Sequence, residues 1–574
     1  MTVSWAASCR SKRGAEEMDV DEVQGDSPVT HAMSLSPEDH TDIVSVITAC
    51  FGSESAFNST TIEEKIKSLS ILGSFDLPLP LLEQKILVPE IATFLFRAFE
   101  SVDCEILAAE AALCLKNLMT GESSVSNRCT RRLYALGLFP VIERVMQRLL
   151  VLAKLSAMTP MLLSLVESVS IMVMCIASLM PVSLAQVNNS SFAVLCEAAL
   201  TLLTDDLSIK PVSAILQAAL VCAEDNPEFV MKLPEGLLMQ QVNAGTDNAA
   251  NDTLGLAYLR IALSATLIVC CQRSLNREIP SSLAGPLRKV LMMSTLSMTE
   301  VHYEAIELAA ETLHQISIPK VADRKSLIQY AEDELLPALL KEWQHVSDAV
   351  EVNQRIKSVC SAIGNVFALM EDLWQSLPAG HCRSAPEAGK LDEMMTKYVG
   401  LALNIATQAR EFNDCQSLLI TDEVSGWLRA WLSMAWPAGS DYPEVTEAAF
   451  SVMSRLFFES SSPVVLTNAC AIAALLIPSL SSAAQVESCR FLNNLLLTDP
   501  FDSDHLEILM AAVDAITGIF DPESKEWPVK AIGQLRDDFA QAQSRLMQSC
   551  DLDESLRAAV QDRILEIKQL LKAL

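Results

Sequence analysis

Glycine and aromatic residues are scarce in this chain: 18 Gly, and Phe, Trp and Tyr together 5% of 574 residues. Strands and tight turns draw on aromatic, β-branched and Gly residues, so the shortage argues against β-structure. Positive charge is short as well, with 42 Lys and Arg against 72 Asp and Glu, a formal net charge of −30. Affinity for nucleic acid is built from Lys and Arg displacing phosphate counterions, which makes nucleic acid a poor direct ligand. No Gly-rich phosphate loop, H-E-x-x-H or G-x-S-x-G occurs. Only His302 and His314 share a predicted helix, and at twelve positions apart they miss the spacing of about three or four that puts two ligands on one face. His381-Cys382 lies in a Pro- and Gly-containing stretch and reads as a solvent loop. No catalytic residue, cofactor site or metal site is therefore predicted. C-x-x-C is missing too: the 16 Cys stand singly in apolar runs, apart from the adjacent Cys270 and Cys271. They read as reduced core thiols of a cytosolic or nuclear protein. The N-terminus has no uninterrupted apolar core of a secretory signal.

What the chain has instead is one kind of segment, repeated. In AAEAALCLKNL (108–118) Ala108, Ala111, Ala112, Leu115 and Leu118 fall at helical spacing on one face. Relatives follow at 216–233, 257–271, 302–316, 445–458, 467–477 and 511–523. Comparable helix ends lie 48 residues apart from Cys222 to Cys270, 43 from Cys270 to Leu313 and 40 from Leu456 to Leu496. Periods of ~40–47 belong to armadillo and HEAT arrays, whose short helix groups bury their apolar faces only against their neighbours. The chain also exceeds the ~250–300 residues at which a single compact core stops growing. The predicted fold is an all-α, armadillo/HEAT-type superhelical solenoid.

Three regions are predicted: an acidic, disordered N-terminal tail over 1–37, armadillo-like repeats over 38–300, and HEAT-like repeats over 301–574 closed by a capping helix at 553–573. The cap is expected to bury Leu556, Val560, Ile564, Ile567 and Leu571. The first helix is expected to start near residue 38, with Pro37 in its first turn. Interruptions are expected at 121–130, 243–253, 276–286 and 376–390. The run 161–183, with Glu167 its only charge, is long enough to span a bilayer. The stretches after it carry Arg260 or are cut by Pro478, and no basic flanks gather. It reads as a solenoid helix buried on two sides, with no membrane partner.

Candidate binding residues are polar or aromatic positions on these helices. Asn117 and Asn365 each lie near the end of an apolar helix, where an amide that both donates and accepts can bond the backbone of an extended peptide, or equally cap a helix. Trp427 and Trp431, at i and i+4, form either a wall for a peptide or a filler between repeats. The net charge of −30 fits a basic partner. It also serves simple solubility.

In their order along the chain, AAEAALCLKNL, LQAALVCAEDNPEFVMKL, AYLRIALSATLIVCC, HYEAIELAAETLHQI and AAVDAITGIFDPE resemble the symportin family of HEAT-repeat-containing adaptors, over roughly residues 100–574. The resemblance implies a non-enzymatic adaptor and chaperone of cytoplasm and nucleus. Its implied partners are the basic large-subunit ribosomal proteins that accompany 5S ribosomal RNA, together with an import receptor. Three features depart from the family pattern. No Pro-Tyr follows the basic Arg10, Lys12 and Arg13; no long acidic insertion separates the two repeat types; and Met174-Cys175 and Ile268-Val269 stand where Trp-Asn pairs are expected.

Overall fold

The structure, a computed structural model, describes residues 37–74, 78–120, 124–155, 158–202, 209–243, 251–292, 299–316, 321–347, 353–376, 415–435, 462–476 and 510–516, with the single positions 492, 495, 508 and 565. Every regular element among them is helical. The expected tail up to residue 36, the segment 445–458, His381-Cys382 and the stripe of the capping helix lie outside the described residues.

The helices come in groups. The chain opens with α1 (Pro37–Phe51), α2 (Glu54–Ser59) and α3 (Ile62–Ser74), followed by α4 (Pro89–Phe99) and α5 (Glu105–Met119). Three triplets follow, each a shorter helix and then two further ones. They are α6 (Ser124–Ala135), α7 (Leu138–Lys154) and α8 (Pro160–Leu179); α9 (Leu184–Asn188), α10 (Phe192–Leu202) and α11 (Ile209–Ala223); and α12 (Pro227–Val230), α13 (Glu235–Asn243) and α14 (Asn251–Ser274). Then come α15 (Ala284–Leu291), α16 (Glu300–His314), α17 (Val321–Tyr330), α18 (Leu336–Ser347), α19 (Asn353–Gln375), α20 (Cys415–Ala435) and α21 (Pro463–Leu476). Packing divides the chain into two units, residues 1–293 with 304–316, and residues 294–303 with 317–574.

Within the first unit α3, α5, α8, α11 and α14 pack in succession, and α1, α4, α7, α10 and α13 do the same beside them. Two columns of helices, each helix touching its repeat neighbours, make an α-solenoid of the armadillo/HEAT type. Small side chains allow the close stacking. In α5, Ala108, Ala111, Ala112 and Leu115 are buried as the spacing predicts, and so are Leu107, Ala109, Cys114 and Met119, because the helix has neighbours on several sides. Leu118 is only half-buried. The long apolar helix α8 packs between α5 and α11. Its lone charge, Glu167, lies 3.4 Å from Lys210 at the start of α11. By length and composition α8 and the Leu254–Ser274 part of α14 could each cross a membrane, but more than half of each is buried in the helical stack.

That Lys210–Glu167 pair is one rung of a ladder. Arg97–Glu54, Arg128–Glu83, Arg144–Glu100, Arg148–Asp103 and Arg277–Glu235 tie one repeat to the next, and all six pairs span 42 to 45 residues. Each is worth little, up to about 1 kcal/mol for exposed groups. Their common spacing is an independent reading of the repeat length.

One expected interruption is wrong. Residues 124–135, within and beyond the stretch GESSVSNRCT, form α6. Its intrinsic propensity is poor, but Ser126, Cys129, Thr130 and Leu133 are buried and the Thr130 hydroxyl donates to the Ser126 carbonyl, 2.9 Å, so packing overrides local preference.

Candidate interaction surface

Asn117 is exposed near the C-terminal end of α5, and its Nδ2 donates to the Gly73 carbonyl of α3, 3.0 Å away. The two helices approach closely here because residue 73 is Gly: a Cβ would come within 3.1 Å of the Cys114 Cα. Asn117 therefore caps the end of the preceding repeat. Its amide has a second N–H and a carbonyl oxygen for another bond.

Further along the chain, acidic groups follow α11 and run along α16, with Arg273 in the last turn of α14 between them in sequence. Glu224 and Asp225 follow the last residue of α11, while Glu304, Glu307 and Glu311 occupy α16 at i, i+3 and i+7. Glu307 is buried. The Glu304 carboxylate accepts from the Gln217 amide of α11, and the Thr266 and Thr312 hydroxyls are 2.7 Å apart between α14 and α16. Burial pushes the Glu311 carboxyl above its ordinary range and Glu224 adds to the rise, while His314 and Arg273 pull it down. Carboxylates on one face of a helix repel one another, and His314 and Arg273 offset that repulsion at Glu311.

The other predicted binding residues lie in the second unit. Asn365 is half-buried on α19 and its Nδ2 donates to the Ser361 carbonyl one turn back, 3.2 Å. Trp427 and Trp431 are 1% and 2% exposed on α20, stacked on each other at 5.9 Å, with Phe367 of α19 against Trp427 at 5.4 Å. Of the two readings open for the indoles, the filler describes them. Neither ring presents a wall to a peptide. Beside them Arg429 reaches Glu371 at 2.7 Å, an approach that residue 426 permits only as Gly, since a Cβ there would fall 2.1 Å from the Glu371 Oε2.

Composition and spacing gave no sign of an amide pair that locks two repeats. Asn188 and Asn226 are both buried and exchange reciprocal bonds: Asn188 Nδ2 donates to Asn226 Oδ1 at 3.1 Å, and Asn226 Nδ2 to Asn188 Oδ1 at 2.9 Å. Asn226 also accepts from the Phe229 N–H, capping α12, with Pro227 in the first turn and Asp225 in the left-handed region at φ 51°. That is what the segment AEDNPEF builds. Three of the cysteines are chemically quiet: burial pushes the Cys114, Cys271 and Cys470 thiols up to about 12. Among the described residues no group of His, Cys, Asp and Glu is placed to hold a metal ion.

No protein-family model matches the sequence, and no curated protein matches it. Among solved structures the chain is similar to one from a study of a phosphorylation switch that controls the interaction between cadherin and beta-catenin, at 11% identity and a TM-score of 0.43, covering 94% of this chain and 92% of that one. It is also similar to SYS-1, at 11% identity and a TM-score of 0.40, covering 92% of this chain and 99% of that one. The complex of SYS-1 with POP-1 gives 10% identity and a TM-score of 0.39, over 92% and 96% of the two chains.

Proposed function

We propose that this chain is a non-enzymatic adaptor that holds a basic protein segment along the α5–α8–α11–α14–α16 column. The observation that carries the reading is the acidic end of that column, where Glu224, Asp225, Glu304, Glu307 and Glu311 stand on adjoining helices of a chain whose formal net charge is −30. A segment rich in Lys or Arg complements that negative charge, and long-range attraction speeds its encounter. Asn117 offers amide bonding to an extended backbone at the other end of the column.

The particular cargo we propose is a large-subunit ribosomal protein of the 5S particle, bound in cytoplasm and nucleus and shielded until assembly. The symportin-like segments and the acidic balance support this. Lacking a long acidic insertion, the chain should favour the cargo held by the helical column over a second one. Pull-downs with each purified 5S-associated ribosomal protein at low and high salt test it. One cargo should bind strongly at low salt and weaken as screening shortens the reach of the charges. Binding of neither would leave a solenoid scaffold for some other protein.

A further inference from the structure

Three of the inter-repeat bonds described above join neighbours: Asn117 to Gly73, Asn188 to Asn226 and Thr266 to Thr312 span 44, 38 and 46 positions. The bond from Gln217 to Glu304 spans 87. It skips a repeat. Helix α14 packs on α11, and its Thr266 hydroxyl meets Thr312 of α16, so α14 lies between the two helices that Gln217 and Glu304 join. Gln217 Nε2 donates to Glu304 Oε1 at 2.5 Å, and both residues are half-buried.

Helix α14 shows where this bond falls. Leu259, Leu263, Thr266, Cys270 and Arg273 stand on one stripe at helical spacing. Thr266 meets α16, and the Cys270 thiol lies 3.7 Å from the Ala223 carbonyl of α11, so the stripe runs between those two helices. Its exposure changes along its length. Leu259 and Leu263 are 2% and 1% exposed, Thr266 and Cys270 are half-buried, and Arg273 is exposed. Gln217 stands six positions before Ala223 and Leu263 seven before Cys270, which sets the Gln217–Glu304 bond at the buried level. Toward Arg273 the same face opens.

We propose, on the reading that a basic segment lies along this column, that Gln217 is an autoinhibitory strap: its amide holds Glu304 until a Lys or Arg of the segment takes its place and frees α11 from α16. An amide gives a carboxylate a hydrogen bond alone. An ammonium or guanidinium adds Coulombic attraction, and a guanidinium can also reach the second carboxylate oxygen. The exchange therefore favours a cation. A neutral segment gains nothing at Glu304 that Gln217 does not already supply, so the strap screens for charge as well as covering the stripe.

Fluorescence anisotropy of the full chain with a labelled Arg- and Lys-rich peptide tests the strap by the sign of the effect. Gln217→Ala removes the competitor and should tighten binding about two- to tenfold, the worth of one hydrogen bond that the peptide no longer displaces. Gln217→Glu, which cannot donate and adds a negative charge, should tighten it further. Gln217→Arg places a cation on Glu304 permanently and should weaken binding by about tenfold or more. With Glu304→Gln in the background, Gln217→Ala should have no effect. A residue that merely braced α11 against α16 would give the opposite sign, weaker binding on truncation, and circular dichroism confirms that each variant is folded. Binding by the wild type that is unchanged or weaker in folded Gln217→Ala and Gln217→Glu would overturn the strap alone. No binding of the basic peptide to the wild type would overturn the strap together with the column as a basic-segment site.

Discussion

Two surfaces of the first unit meet their charges differently on the same scaffold. At the α7–α8 corner, basic groups are exposed and most are spent on single acids of the preceding repeat, so the apolar residues between them are left bare. Along α16, Glu307 is buried and burial holds the Glu311 carboxyl above its ordinary range, with His314 and Arg273 pulling it back. A solenoid makes this possible because each repeat is held by its two neighbours alone, and a surface can change character within a repeat or two without disturbing the core.

Breaking the shared core should affect both surfaces. Leu165 is fully buried in α8, which packs on α5, α7 and α11. Leu165→Ala should cost about 2–5 kcal/mol, with hydrogen exchange rising in α7 and α11 together; a change confined to one of them would contradict the nearest-neighbour account. Smaller and more local is Asn226→Ala, which takes the donor away from the Asn188 Oδ1, leaves the Asn188 Nδ2 only its bond to Glu228, and uncaps α12. About 1–3 kcal/mol should be lost in denaturant melts, with the loss concentrated in α9–α12. Asn117→Ala removes the bond to Gly73 and should cost about 0.5–1.5 kcal/mol, lowering protection at the α3–α5 contact. Least of all, Arg97→Ala removes one ladder rung and should shift stability by less than about 1 kcal/mol. A larger loss would mean that the ladder, and not the apolar core, holds the repeats.

Glu311 sharpens the comparison through pH. Its carboxyl is raised above the ordinary 4.5, first by burial. The folded state therefore keeps a proton that the unfolded chain releases, and this group's contribution to stability falls as pH rises from 4.5 through the raised value. A bound cation lowers the same pKa and expels the proton. Affinity for a basic segment should then rise with pH across that window, while Glu311→Gln flattens both dependences. A profile unchanged by the substitution would remove Glu311 from the acidic site.

The fold was legible because repetition is a strong signal. Small apolar residues at helical spacing, renewed every forty-odd residues, allow little except stacked helices, and the 42-to-45-residue ladder shows the same period in the charges. Helix α6 was not legible, because its polar sequence is helical only through what it packs against. Surfaces were harder still. Periodicity marks which residues share a helix face, but the neighbouring helix decides whether that face is covered, and α19 covers Trp427 with Phe367. The Asn188–Asn226 pair joins positions 38 residues apart that no local pattern links.

The acidic end of the column is the central claim, and one titration tests it most directly. A labelled basic segment of a 5S-associated ribosomal protein would be titrated with the full chain, wild type and Glu304→Gln/Glu307→Gln/Glu311→Gln, at low and high salt, with circular dichroism confirming that the variant is folded. The account predicts that the wild type binds the segment at low salt, and that the variant loses at least tenfold in affinity together with most of the salt dependence. Equal affinity and equal salt dependence in a folded variant would contradict it.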